Sequence, residues 1–139
     1  MTHKVVDRRL DDEKLLLRID VSIANVGDVL VDIERAIVYV NQILLVPETV
    51  LSSIDSEKGV ENFNNSESMW PNLVTCERIW EPRMFEIEPG ERDDVTFDFV
   101  VSPDIETIEI YTHFRNAKKR SRDVGWEHTS IHKFTDIFA

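Results

Sequence analysis

A period of two runs through this chain and limits what it can fold into. Leu15, Leu17, Ile19, Val21 and Ile23 alternate with Arg18, Asp20, Ser22 and Ala24. Successive side chains of a strand point to opposite faces, so such a segment has one apolar face and one polar face. The pattern returns in Val29, Val31 and Ile33, in Val95, Phe97, Phe99 and Val101, and in Ile108, Ile110, Thr112 and Phe114. Near the C-terminal end, Trp126, His128, Ser130, His132 and Phe134 share one side, and Thr129, Ile131 and Lys133 the other. No helical period persists beyond two turns. A half-apolar sheet must bury its apolar face, and without helices the cover is a second sheet. The chain is therefore read as all-β and antiparallel, a sandwich or barrel of short strands.

The punctuation between these runs sets the order of elements. Asn25-Val26-Gly27-Asp28 supplies turn residues. The alternation slips near Arg35, because Ala36, Val38 and Val40 are the next every-second set. A β-bulge, or a break into a second strand, accounts for such a slip. An apolar run from Ile43 ends at Pro47, and residues 48–53 are read as a short helix after that proline. Ser56 to Ser68 is polar, so about 47–72 is one long surface loop. Leu73 to Ile87 reads as one or two strands interrupted at Pro82, and Pro89-Gly90 as a turn. Residues 1–14 are mostly charged and are expected to form a partly ordered leader to a single domain over 15–139.

Composition narrows the class. A chain of 139 residues is long enough for one self-sufficient core. Its single cysteine, Cys76, rules out an intrachain disulfide and is read as a small buried hydrophobe. No stretch reaches the roughly 18–20 apolar residues of a membrane helix, and no signal-peptide pattern follows the first charges. A cytoplasmic protein without membrane contact is expected. The formal net charge is −11, which repels phosphates on average. Arg115, Lys118, Lys119, Arg120 and Arg122 reverse that sign locally, with Asp123 the single acid beside them. Any nucleic-acid contact is confined to this 115–122 loop, where Trp126 offers a stacking surface.

Tests for catalytic and metal chemistry select nothing. No nucleophile elbow occurs, and Gly27, Gly59, Gly90 and Gly125 are too scattered for a phosphate cradle. His128 and His132 lie four apart, which on a strand is about 13 Å and too far to share an ion. His113 can approach His128 across a hairpin, but zinc needs further ligands. Asp93, Asp94 and Asp104 are a conceivable calcium seed, read here as solvated surface. No cofactor and no metal are expected.

The early strands around Asn25-Val26-Gly27-Asp28, and the passage Phe85-Glu86-Ile87-Glu88-Pro89-Gly90-Glu91 leading into the strand Val95 to Val101, resemble prokaryotic immunoglobulin-like or fibronectin-like sandwich modules. The resemblance runs from about Leu15 to Phe134. It implies an antiparallel immunoglobulin-like β-sandwich of about 7 strands with one long loop. Such modules more often bind or space than catalyse. The leading expectation is therefore a non-catalytic protein–protein interaction module whose partner is another protein or a second copy. Its contact surface is read as one face of the last hairpin and its basic loop: Tyr111, His113, Arg115, Lys118, Lys119, Arg120, Arg122, Trp126, His128 and His132. Two other readings compete. One is an acidic inhibitor, or nucleic-acid mimic, that fills a basic groove. The other is a small-ligand sensor or enzyme using His113 and His128.

Overall fold

The computed structural model describes residues 1–43, 70–117 and 125–134. They form eight strands: β1 (Thr2–Arg9), β2 (Leu15–Ala24), β3 (Val31–Gln42), β4 (Asn72–Ile79), β5 (Glu86–Ile87), β6 (Arg92–Val101), β7 (Thr107–Asn116) and β8 (Trp126–Lys133). Two antiparallel sheets result, β1-β2-β6 and β4-β3-β7-β8, with β5 pairing β3. This is the antiparallel β-sandwich expected from the alternation, with eight strands where the resemblance implied about seven. No helix occurs among the described residues. The expected helix at 48–53 and most of the expected 47–72 loop lie outside them.

The alternating residues meet between the sheets. Leu15, Leu17, Ile19, Val21 and Ile23 of β2 are fully buried, opposite Val38 and Val40 of β3 and Ile108, Ile110 and Phe114 of β7. Burying each such side chain contributes about 1.5–3 kcal/mol. Phe97 of β6 meets Phe114 edge to face across the gap, centroids 6.4 Å apart. The slip near Arg35 is a bulge: on β3, Ile33 pairs Asn116 while Arg35 pairs Arg115, so Glu34 is the extra residue. Val31 and Ile33 face inward before it, and Ala36, Val38 and Val40 after it.

Residues 2–9, expected to be part of a partly ordered leader, pair with β2 along their whole length, from Thr2↔Ser22 to Arg9↔Leu15. Their inward positions are His3, Val5, Asp7 and Arg9. Three of those four are polar, so counting apolar residues could not find the strand.

The two open sides of the sandwich are closed differently. On the β4–β6 side, the Arg78 guanidinium lies 4.3 Å above the Phe97 ring and donates to the Thr96 carbonyl at 2.6 Å. On the β1–β8 side the closure is made of histidines and hydroxyls.

Candidate functional site

Register decides which side chains share a surface. On β7 the inward positions are Ile108, Ile110, Thr112, Phe114 and Asn116. Phe114 pairs Trp126, Thr112 pairs His128 and Ile108 pairs His132. Trp126, His128 and His132 therefore turn into the sandwich. Tyr111, His113 and Arg115 project from the opposite, outward face. The single hairpin face expected from the sequence is thus two faces. His113 lies opposite Glu127 and not His128, so the two histidines of the sensor-or-enzyme reading stand on opposite sides of the sheet. Lys118, Lys119, Arg120 and Arg122 lie outside the described residues.

The outward face has an aromatic centre. Tyr39 of β3 pairs Tyr111 of β7, and Ile37 pairs His113 beside them. The two tyrosine rings lie 5.9 Å apart, tilted by 32°. Tyr39 keeps 37% of its surface in solvent. The Tyr111 hydroxyl donates to Glu127 at 2.8 Å, and this bond, with partial burial and the carboxylate's charge, raises the phenol above its ordinary pKa. Charged side chains around this centre make contacts within the sheet, although the Arg35 Nε is buried without a hydrogen-bond partner. Arg35 contacts Glu77 at 2.8 Å, Arg115 contacts Glu34 at 3.1 Å, and the Asn41 amide donates to Glu109 at 3.3 Å. The centre is thus apolar and aromatic, and the margin is charged, with Arg35, Arg115 and Asn41 each contacting a carboxylate of the same sheet. Ile79 and Ile131 on the outer strands are 73% and 66% exposed.

The other outer face differs. On β1-β2-β6, Arg18 and Asp98 form a bidentate pair at 2.8 and 3.1 Å, and the Thr96 hydroxyl donates to Asp20. The hydrogen bonds and charge of Arg18 hold the Asp98 carboxyl below its usual range. Lys4 pairs Asp20, and Arg8 lies further along the same outward row, opposite Leu16. The face is a mixed lattice of charge, not the row of carboxylates a nucleic-acid mimic would present.

At the end of the sandwich where β2 leads into β3, a cleft of about 300 Å³ opens between residues 25–31 and Asn116, Gly125 and Trp126. The turn beside it is organised by Asn25, 5% exposed. Its amide donates to the carbonyls of Val29 at 2.8 Å and Ile87 at 2.9 Å, and its oxygen accepts from the Gly27 amide at 3.1 Å. Asp93 and Asp94 begin β6, while Asp104 follows its far end, about 30 Å away at strand rise. The conceivable calcium seed is therefore not assembled. No group of three metal-ligating side chains occurs among the described residues. Cys76 is free, partly buried and packed against the core.

The feature that sequence reasoning missed is the β1–β8 seam. His3 reaches from β1 to both strands of the facing sheet edge. Its Nδ1 bonds the Ser130 hydroxyl at 2.6 Å and its Nε2 the Thr112 hydroxyl at 2.7 Å. The His128 ring stands edge-on to it, centroids 4.6 Å apart. Further along, His132 Nε2 lies 2.7 Å from a carboxylate oxygen of Asp7, whose side chain is 1% exposed.

Solved structures share this fold. Beta-glucuronidase 2 of Bacteroides uniformis, in a calcium-binding mutant, matches with a TM-score of 0.56 at 12% identity. A beta-glucuronidase from glycoside hydrolase family 2 matches with a TM-score of 0.52 at 10% identity. The likeness covers 94% and 93% of this chain but 13% and 11% of those chains. At such identities the shared property is the fold alone. No family model matches the sequence, and no curated protein does. No helix of the described residues is long and apolar enough to cross a membrane.

Proposed function

We propose that this chain is a non-catalytic β-sandwich module that binds another protein through the outward face of its four-stranded sheet. The observation that carries the reading is the Tyr39–Tyr111 pair, set beside Ile37 and His113 within a charged margin. Rigid aromatic centres within polar rims are the usual anchors of protein interfaces. The share of the matching glycosidase chains that this fold represents supports an accessory rather than a catalytic role. The mixed charge of the opposite face and the separation of His113 from His128 favour neither the mimic nor the sensor reading.

Arg115 lies on this face, and the basic residues Lys118, Lys119, Arg120 and Arg122 follow it in sequence. In this reading they steer an acidic partner towards the aromatic centre. The test pairs Tyr39→Ala/Tyr111→Ala with the control Val6→Ala on the opposite face. Partner capture falls at least tenfold in the tyrosine variant alone, at unchanged circular dichroism. Equal capture by both variants overturns the assignment. Lys119→Glu with Arg120→Glu slows association and flattens its dependence on salt.

A further inference from the structure

We infer that the β1–β8 seam is a proton-operated closure, in which the amino-terminal half of β1 peels off β2 and away from β8 on acidification while the Asp7–His132 contact stays as the hinge. The geometry carries this. Among the described residues, histidines tie the sheets together at two points on this side, and their surroundings differ in charge. His3 is held between two hydroxyls, Ser130 on β8 and Thr112 on β7. A neutral ring donates from one nitrogen and accepts at the other, and hydroxyls satisfy either tautomer. A protonated ring still finds two acceptors, so its hydrogen bonds are not what fails. What fails is the charge balance.

Among the described residues, the groups around His3 offer no counter-charge. The His128 ring faces it from β8. The amino-terminal ammonium lies just before its own strand, and both of these disfavour a charged ring, as does burial, which is the largest effect. From β2 the opposed residue is Val21. From β7 the facing side chain is Thr112, whose hydroxyl also contacts the Met1 sulfur at 3.1 Å. On the inward side of β1 the remaining charged groups are Asp7 and Arg9. Asp7 is four residues away, about 13 Å along the strand, and is engaged by His132. Arg9 is further still and lies 3.6 Å from Asp12.

The second tie works in the opposite sense. The His132 ring lies 2.7 Å from the buried Asp7 carboxylate, which is a counter-charge in place. A proton on His3 therefore has no carboxylate beside it among the described residues, whereas the His132 ring lies against one. These two ties stand at opposite halves of one eight-residue strand, so separation starts at the amino-terminal half.

Hydrogen exchange tests the inference. Protection factors, corrected for intrinsic exchange, are measured strand by strand between pH 7.5 and 4.5. The free ring takes its proton near 6.5, whereas His3 in the fold is lowered to about 4. The opening equilibrium at residues 2–5 should therefore rise at least tenfold over this range, screening included. Amides in the β2–β6 pairing should hold. His3→Gln, which cannot charge, should abolish the pH dependence, and Asp7→Asn should extend the opening to residues 6–9. Uniform loss of protection in all strands overturns the inference, and so does pH-dependent opening that persists in His3→Gln. Should His3→Gln not fold, the His3 ring signal in the unmodified protein decides. Its titration must track the opening of residues 2–5, and titration without opening overturns the inference.

Discussion

Replacing Asn25 with alanine removes one side chain from a turn and should cost as much as a core truncation. Asn25 is 5% exposed and makes three side-chain hydrogen bonds. Its backbone is engaged as well: its amide donates to the Glu91 carbonyl at 2.9 Å and its carbonyl accepts from the Gly90 amide at 2.8 Å. The residue thus pins the end of β2, the 25–30 turn and the β5–β6 turn to one another. In Asn25→Ala the Ile87 carbonyl loses a buried donor, and the Val29 carbonyl and Gly27 amide lose partners nearer solvent. A buried polar group left unpaired costs about 1–3 kcal/mol, and partners that water can reach cost less. The expected loss is about 2–4 kcal/mol, read from the urea midpoint at unchanged slope. Asn25→Asp keeps the acceptor to Gly27 but loses both donors and places a carboxylate against two carbonyls. It should be no better than alanine at pH 7 and should recover as pH falls, because the protonated acid can donate once. A loss below about 0.5 kcal/mol in Asn25→Ala, typical of an unimportant surface site, would refute the reasoning.

Other expectations follow from the packing. Gly125 has φ of +127°, and a Cβ there would meet the Phe114 carbonyl oxygen at 1.9 Å. Gly125→Ala should therefore shift the β7–β8 cross-peaks in an NMR spectrum and lower the melting temperature by several degrees. Phe114→Ala empties the site where Phe97 and Trp80 meet a fully buried ring, and should cost about 3–5 kcal/mol in chemical denaturation. His3 sets a sign for pH. Its folded value, about 4, lies below the free value of 6.5, so the unfolded chain takes the proton first. Its contribution is complete above about pH 6.5 and is lost as pH falls towards 4. The full shift corresponds to about 3 kcal/mol, which solvent screening of a half-buried ring reduces to about 1–2 kcal/mol. His3→Gln should flatten that part of the stability profile.

What the sequence made legible depended on contrast between apolar and polar positions. β2, β6 and β7 bury mainly Leu, Ile, Val and Phe at every second residue, so their faces followed from the pattern, as did the slip near Arg35, while the structure decided for a bulge over a strand break. β1 and β8 lack that contrast. Their inward residues include His3, Asp7, Arg9, His128, Ser130 and His132, and β8 turns Ile131 outward. A one-residue change of register moves every side chain to the other face, and nothing apolar fixed the register of the last hairpin. The expected contact face was therefore assembled from residues on both sides of one sheet. The available signal was the paired polarity itself: two adjacent edge strands, each with histidine at every fourth residue or an acid four residues from one, can face each other. The Tyr39–Tyr111 pair was hidden for another reason. Tyr39 sits on β3, distant in sequence, and only the pairing of β3 with β7 brings it beside Tyr111.

The most direct test of the contact surface places a photo-crosslinking amino acid at Tyr39, and separately at Val6, in the full chain in its native cell. Tyr39 lies at the aromatic centre of the four-stranded face, and Val6 is exposed on the opposite sheet. The account predicts a discrete protein adduct from position 39 and none from position 6. An adduct from position 6 alone, or no protein adduct from position 39, contradicts it.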